Sequence, residues 1–155
     1  MEALTDLNYQ HLKIVRLWKV ELQDEGLRSI CNYIDKVGSI EYLDLMDNKI
    51  TPLGCEFLGK TLLNERNNIR KLKIDNNEIG DQGLGSLTVG LRQNGKIEKL
   101  SFCFCGITQQ GTKYIQEILA NITCRLRTLK LMGNPLYNEG AFEILRAVNS
   151  CGDKL

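Results

Sequence analysis

Six cysteines and one histidine are the residues of this 155-residue chain that could carry nucleophilic, redox or metal chemistry. A disulfide framework or a zinc site needs cysteines in close, regular pairs such as C-x-x-C, and the spacing here provides none. The cysteines are Cys31, Cys55, Cys103, Cys105, Cys124 and Cys151. We expect reduced thiols in a reducing compartment. His11 lies before the first predicted strand, where we expect an exposed or capping residue rather than a catalytic base.

Two short segments resemble ligand-binding loops. Residues 75–86 begin like a calcium loop, but Ile79 occupies a ligand position and Ser86 stands where a bidentate glutamate is needed. Residues 80–85 contain glycines without the spacing of a dinucleotide or phosphate loop. The sequence therefore predicts neither an enzyme nor a cofactor or metal site.

The composition is that of one globular domain, with 43% hydrophobic and 25% charged residues. The formal net charge of +1 provides no field that would attract nucleic acid or an anionic membrane. The first residues lack the regions of a secretion signal, and no run approaches the roughly 18 apolar residues that a membrane span needs. We expect a cytoplasmic protein, located at the cytoskeleton or the cilium in a narrower interpretation, with no nucleic-acid or membrane partner.

An internal repeat organises the chain. Residues 40–50 and 69–79 share the pattern L-x-x-L-x-L-x-x-N-x-I, and the same frame fits five times, at steps of 28, 29, 28 and 29 residues. The repeats open at Leu12, Ile40, Ile69, Ile97 and Leu126. Counted from each opening residue, offsets 0, 3, 5, 10, 18 and 22 are always apolar and offset 14 is always glycine. We expect these apolar residues to form the core.

The period also predicts the domain organisation. We expect a single domain over residues 1–155, with a cap or the end of a preceding helix at 1–11 and the start of a further strand at 154–155. The expected repeats are 12–39, 40–68, 69–96, 97–125 and 126–153. The open carboxyl end is expected to pack on a partner, on further repeats or on another copy of the chain.

Each repeat has its own local structure. Alternating apolar residues at offsets 3 and 5 predict a short strand, and offsets 18 and 22 predict one face of a helix. Because neither element can bury its apolar face alone, neighbouring repeats must stack. The prediction is an α/β solenoid with parallel strands on a concave face and helices on a convex face. The predicted helix caps are Thr51, Asp81, Thr108 and Asn138.

Offset 8 carries asparagine in three repeats, and we expect its buried amide to satisfy loop backbone groups. These residues are Asn48, Asn77 and Asn134, while Cys105 takes the position in the fourth repeat and Val20 departs from it. In its repeat lengths, its asparagine or cysteine position and its glycine position, the chain resembles the ribonuclease-inhibitor class of leucine-rich repeats. The resemblance implies a right-handed βα horseshoe. The class includes ribonuclease inhibitor, the GTPase-activating protein for Ran, tropomodulin, NOD-like receptors and ciliary dynein regulatory complex subunits, so the resemblance is specific for fold rather than function.

Side chains at offsets 2, 4 and 6 are expected to point outward from the concave face, with offset 7 at its rim. Exposed aromatic and methionine side chains beside charges are typical of protein interfaces. The candidate contact residues are Arg16, Trp18, Tyr42, Asp44, Met46, Lys73, Asp75, Phe104, Lys130 and Met132. Trp18 is the leading candidate, with a covering role at the edge of the first repeat as its alternative. The other apolar members are ordinary strand-face residues in the alternative interpretation.

The remaining positions of this face leave two interpretations open. The basic residues either solvate the face or, together with Lys71 and Lys99, suit an acidic partner. Cys103 is expected to point outward and Cys105 to be buried, so the two do not form a redox pair or a metal site.

The predicted function is a non-catalytic scaffold or adaptor that binds a protein partner on the concave face, as a subunit of a cytoskeletal or ciliary assembly in the narrower interpretation. The alternative is a regulator of an enzyme, either a small-GTPase activator or an inhibitor like ribonuclease inhibitor. The family's inhibitor is an acidic protein that meets a basic enzyme, which this near-neutral chain does not match. No catalytic residue of a GTPase activator can be assigned.

Overall fold

A computed structural model describes residues 11–121 and 125–150 of the chain, and strands and helices alternate along them. The strands are β1 (Ile14–Arg16), β2 (Tyr42–Asp44), β3 (Lys71–Lys73), β4 (Lys99–Ser101) and β5 (Thr128–Lys130). The helices are α1 (Gln23–Val37), α2 (Pro52–Leu63), α3 (Gly80–Leu91), α4 (Thr112–Leu119) and α5 (Tyr137–Ser150), with a 3-10 turn at Gln109–Gly111. None of the described helices is long and apolar enough to cross a membrane.

The strands form one parallel sheet in the order β1-β2-β3-β4-β5. Their middle residues stand opposite one another and form an apolar row, which consists of Val15, Leu43, Leu72, Leu100 and Leu129. This row packs into the core between sheet and helices, so the residues before and after it face the other side of the sheet. The arrangement confirms the predicted α/β solenoid, with strands on the concave layer and helices on the convex layer.

The predicted core positions are filled most completely in the second, third and fourth repeats. There every side chain at offsets 0, 3, 5, 10, 18 and 22 is at most 7% exposed. In the two outer repeats most of these side chains are only partly buried, and the prediction is wrong for Leu12, which is 42% exposed. Among the described residues an outer repeat packs against one neighbouring repeat rather than two, so its apolar side chains have fewer neighbours to cover them.

Two threonines cap helical turns as predicted. The Thr51 hydroxyl accepts a hydrogen bond from the Leu53 N–H at the start of α2, and Pro52 occupies the first helical position. The Thr108 hydroxyl accepts from the Gln110 N–H in the 3-10 turn.

The cap predictions for Asp81 and Asn138 are wrong, because both residues lie inside the first turns of α3 and α5 rather than before them. Asp81 instead accepts two hydrogen bonds from Thr108 of the next repeat, one from its N–H (2.8 Å) and one from its hydroxyl (2.6 Å). Asp24 accepts the same pair from Thr51, at 2.9 and 2.6 Å. A carboxylate at a helix start thus fixes the turn of the next repeat.

This aspartate–threonine clasp alternates along the chain together with the length of the repeats. The aspartates stand in the first and third repeats, which are 28 residues long, and the threonines in the second and fourth, which are 29 residues long. A side chain on Gly54 would collide with the carboxylate of Asp24, and one on Gly111 with that of Asp81. In these two repeats the glycine at offset 14 therefore leaves room for the clasp.

The predicted role of the offset-8 asparagines Asn48, Asn77 and Asn134, here called the asparagine ladder, is confirmed, although Asn134 is only half-buried. The side-chain oxygen of Asn77 accepts from the N–H groups of Asn48 and Ile50, at 3.0 and 2.9 Å. Its side-chain nitrogen donates to the carbonyls of Leu45, Ile74 and Asp75. Cys105 holds the same buried position in the fourth repeat, with its sulfur 3.3 Å from the Ile74 carbonyl. These bonds satisfy backbone groups that the short strands leave unpaired.

Candidate protein-binding face

The concave face consists of three rows of side chains that run across the sheet. The first row is Ile14, Tyr42, Lys71, Lys99 and Thr128, and the second row is Arg16, Asp44, Lys73, Ser101 and Lys130; within each row neighbouring residues are partners in the strand register. The third row, two residues further along each repeat, is Trp18, Met46, Asp75, Cys103 and Met132. The rows place side chains from five repeats on one surface.

The apolar side chains that stand out from this face lie towards its two ends. Trp18 is 61% exposed in the first repeat, Met132 is 67% exposed in the fifth, and Phe104 is 53% exposed at the rim of the fourth. The Phe104 N–H donates to the Met132 carbonyl over 2.8 Å, so these two residues are neighbours. Tyr42 and Met46, between the ends, are half-buried.

Arg16 and Tyr42 are held against each other. The Arg16 guanidinium carbon lies 5.3 Å from the centre of the Tyr42 ring, within the range of a cation–π contact. The Tyr42 hydroxyl in turn donates to Oδ2 of Asp44 over 3.2 Å. This chain of contacts orders three candidate residues.

Asp44 and Asp75 lie on the concave side as predicted, but the side chains around them leave each only 8% exposed. Oδ1 of Asp75 accepts from the Cys103 N–H of the next strand over 2.9 Å, and Oδ1 of Asp44 accepts from the Met46 N–H over 3.2 Å. The Lys73 ammonium lies 3.9 Å from Asp44 and 3.8 Å from Asp75. Both carboxylates are therefore engaged within the fold.

The cysteines of the core are poor nucleophiles. Burial raises the pKa of the Cys31 and Cys105 thiols to about 12, and it raises the pKa of the Cys55 thiol as well. Cys103 was expected to point outward, but its side chain is only 5% exposed, with its sulfur 3.7 Å from the Ser101 hydroxyl. Residues 11–121 and 125–150 contain no group of histidine, cysteine, aspartate or glutamate side chains suited to a metal ion.

Three lysines of the first and second rows extend into solvent: Lys71, Lys99 and Lys130. Across the described part of the chain, no ion pair involves any of them. Directly before the strands, Glu41 forms an ion pair with Lys13 (2.8 Å) and Glu98 forms one with Arg70 (2.9 Å). The hydrogen bond and the charge of Lys13 lower the pKa of the Glu41 carboxyl, so it remains ionised and paired.

The rim at offset 7 has a backbone feature that the sequence analysis missed. In every repeat this residue has a left-handed φ, between +53° and +74°, and the five residues are Lys19, Asp47, Asn76, Phe104 and Gly133. Glycine, asparagine and aspartate tolerate this conformation, and their presence at one offset was the available signal. Phe104 is the aromatic member, and its ring lies over Gly133, where a Cβ would collide with it.

Two predictions fall on parts of the chain outside the described residues. The sequence predicts an amino-terminal cap or the end of a preceding helix at residues 1–11, of which only His11 is described, and that residue is exposed. The start of a further strand, and with it the open carboxyl end, is predicted at residues 154–155, which also lie outside the described residues. Exposed apolar side chains on the last described helix, α5, are Tyr137 (73%), Phe142 (64%) and Leu145 (57%).

Comparison with known sequences gives consistent matches. The family model described as "Leucine Rich repeat" matches residues 39–59 and 67–87. The chain is 30% identical over 149 residues to the Homo sapiens NACHT, LRR and PYD domains-containing protein 14, a match that covers 94% of this chain and 13% of that protein. It is 32% identical over 136 residues to the Sus scrofa ribonuclease inhibitor, covering 86% of this chain and 29% of the inhibitor. The chain thus spans less than a third of either relative.

Two solved structures share the fold. The actin-binding site 2 segment of leiomodin-1 matches with a TM-score of 0.72 at 16% identity, covering 96% of this chain and 85% of that one. The tropomodulin C-terminal domain of Caenorhabditis elegans matches with a TM-score of 0.65 at 14% identity, covering 96% and 89%. At these identities the likeness concerns the fold alone.

Proposed function

Because the chain is a leucine-rich-repeat protein of the ribonuclease-inhibitor type, we propose that it is a non-catalytic scaffold or adaptor that binds a protein partner on its concave face. A protein-binding role in general is supported by two of its relatives, one named as an inhibitor of ribonuclease and one as an actin-binding site. The narrower proposal is a cytoplasmic protein that serves a cytoskeletal or ciliary assembly. We also retain the repeat boundaries given above as a proposal.

The observation that carries the proposal is the exposure of Trp18, Phe104 and Met132 on a face built from parallel strands. Aromatic and methionine side chains are frequent anchors of protein interfaces, because they bury a large apolar area on contact. The backbone next to Trp18 and Phe104 is held by asparagines of the following repeats. Oδ1 of Asn48 accepts from the Val20 N–H, and Oδ1 of Asn134 accepts from the Cys105 N–H, each over 3.0 Å. A partner would therefore meet anchors whose positions are already defined, which lowers the entropic cost of binding.

The ten proposed contact residues have different roles. Trp18, Phe104 and Met132 are the proposed apolar anchors. Exposed or half-buried side chains around them are Arg16, Tyr42, Met46, Lys73 and Lys130. The two remaining residues, Asp44 and Asp75, act through their neighbours, since they orient Tyr42, Lys73 and the backbone of the next strand.

The test compares the wild-type protein with the double variant Trp18→Ala, Phe104→Ala in affinity capture from a eukaryotic lysate. A matched control carries Leu53→Ala and Val89→Ala, which remove two apolar side chains that are 48% and 45% exposed on the helices. Circular dichroism establishes first that all three proteins are folded. We expect one set of captured proteins with wild type and control, and its loss with the concave variant.

Equal capture by all three proteins would contradict the proposal and move the binding surface away from the concave strands. A captured small GTPase whose GTP hydrolysis is stimulated by the wild-type chain would instead identify a regulator of an enzyme.

A further inference from the structure

We propose that the concave face receives an acidic protein segment, held by a lysine patch that consists of Lys71, Lys99 and Lys130. This inference rests on the proposed function, because it names the chemistry of the partner bound by the same face.

The strand register places two of these charges side by side. Lys71 of β3 is the direct partner of Lys99 in β4, and the flanking members of the first row, Tyr42 and Thr128, carry no charge. Like charges directly opposite each other on neighbouring strands destabilise a sheet. The pair therefore costs stability in the free protein, and carboxylates of a partner would remove that cost.

The acidic residues on this part of the sheet already have partners within the fold. Glu41 accepts a hydrogen bond from Lys13, and Glu98 accepts one from Arg70, in the residues that directly precede the strands. The hydrogen bond and the charge of Lys13, together with the nearby charges of Arg70 and Lys71, lower the pKa of the Glu41 carboxyl, so Glu41 stays ionised and bound to Lys13. On the face itself, the acids next to the patch are Asp44 and Asp75, which are buried and shared with Lys73.

The surroundings of the patch indicate a protein segment rather than another polyanion. Exposed Met132 follows Lys130 by two residues on the same side of the fifth repeat, and Phe104 neighbours Met132. A peptide can combine carboxylates with an apolar side chain at this spacing. Proteins hold nucleic acid through a longer series of phosphate contacts. The three lysines of the patch, on a face that also carries the carboxylates of Asp44 and Asp75, do not provide such a series.

The test selects binders from a random library of short peptides displayed on phage, with the immobilised protein as bait. We expect the enriched peptides to be rich in aspartate and glutamate and to contain an aromatic or long aliphatic residue. Synthetic versions are then titrated at low and high salt. Binding should weaken as salt rises, because the interaction depends on exposed charges.

Three variants make the titration specific. Lys71→Glu together with Lys99→Glu should weaken binding by at least about tenfold. Lys99→Glu alone places a negative charge beside Lys71 on the neighbouring strand, which favours folding. This variant should also weaken binding. The control pair Lys60→Glu and Lys113→Glu makes the same change of net charge on exposed helical lysines and should bind like wild type.

The outcomes separate this inference from the function on which it rests. Enriched peptides without an excess of acidic residues, but with binding lost in the Trp18→Ala, Phe104→Ala variant, would overturn the inference and leave the function standing. Selected peptides that bind every concave variant as tightly as wild type would overturn both. A single-stranded oligonucleotide that displaces the peptides with similar affinity would identify the patch as a nucleic-acid site and contradict the inference.

Discussion

Leu72 and Leu100 lie at the middle of two neighbouring strands and face the helices, while Lys71 and Lys99 precede them in the chain and face the concave side. On the helix side, successive repeats use the same kind of residue at each position. On the concave side the first row changes from isoleucine to tyrosine, lysine and threonine. Repetition on one face maintains the stack of repeats, and variation on the other face is what we expect if, as proposed above, the concave face binds a partner.

We expect the largest difference between the two faces when a buried strand residue is replaced and the free energy of unfolding is measured. Leu100 is 1% exposed, so Leu100→Ala should lower the free energy of unfolding by about 2–5 kcal/mol, measured by urea denaturation. Trp18→Ala, on the concave face, should change it by no more than about 0.5 kcal/mol. A comparable loss in both variants would show that Trp18 covers the first repeat, and the two faces would then not differ in the way proposed.

The buried face was also the more predictable one, for a physical reason. Its residues must be apolar and recur at the same offsets, so five copies of one pattern determine both the strand register and the core. Leu12 and the partly buried positions of the outer repeats show where this fails, because burial depends on neighbours that a pattern within one repeat does not describe.

The concave face was predictable in membership but not in exposure or bonding. The offsets predict which side chains lie there, but not that Asp44 and Asp75 are covered by neighbouring side chains such as Lys73, nor that each accepts a backbone hydrogen bond. The clasp between Asp81 and Thr108 was missed for a related reason. Aspartate near a helix start suggests a cap, and only the stacked structure shows that its acceptor sites face the next repeat.

Replacing a buried polar residue between the stacked repeats is expected to cause the second-largest change in the free energy of unfolding. Asn77→Ala leaves the N–H groups of Asn48 and Ile50 without their acceptor in a buried loop. Since each unsatisfied buried donor costs about 1–3 kcal/mol, we expect a loss of about 2–4 kcal/mol in the free energy of unfolding, measured by the same denaturation. The control is Asn32→Ala on the exposed surface of α1, which should stay within about 0.5 kcal/mol of wild type.

A small loss for Asn77→Ala would contradict the role of the ladder. It would show that water or a shift of the loop satisfies those N–H groups, and that the rigidity of the concave face has another source.

The smallest expected change has the opposite sign and concerns Phe104. Its φ of +53° is unfavourable for a bulky residue, whereas Asn76 adopts the same conformation in the preceding repeat. Phe104→Asn should therefore raise the free energy of unfolding by about 0.5–1 kcal/mol, even though the ring loses its contact with Gly133. Met132→Asn is the control, since Met132 is also apolar and exposed but has no left-handed φ. The unfolding free energy of this variant should stay within about 0.5 kcal/mol of wild type.

The value of Phe104→Asn lies in measuring stability and partner capture on the same protein. If the concave face is kept for recognition, the variant should be more stable than wild type and bind less, because backbone strain is retained where a side chain has a function. A variant that is less stable than wild type would assign Phe104 to packing over Gly133. In that case the aromatic ring would belong with the buried face in the comparison, and the binding surface would be confined to Trp18, Met132 and the lysine patch.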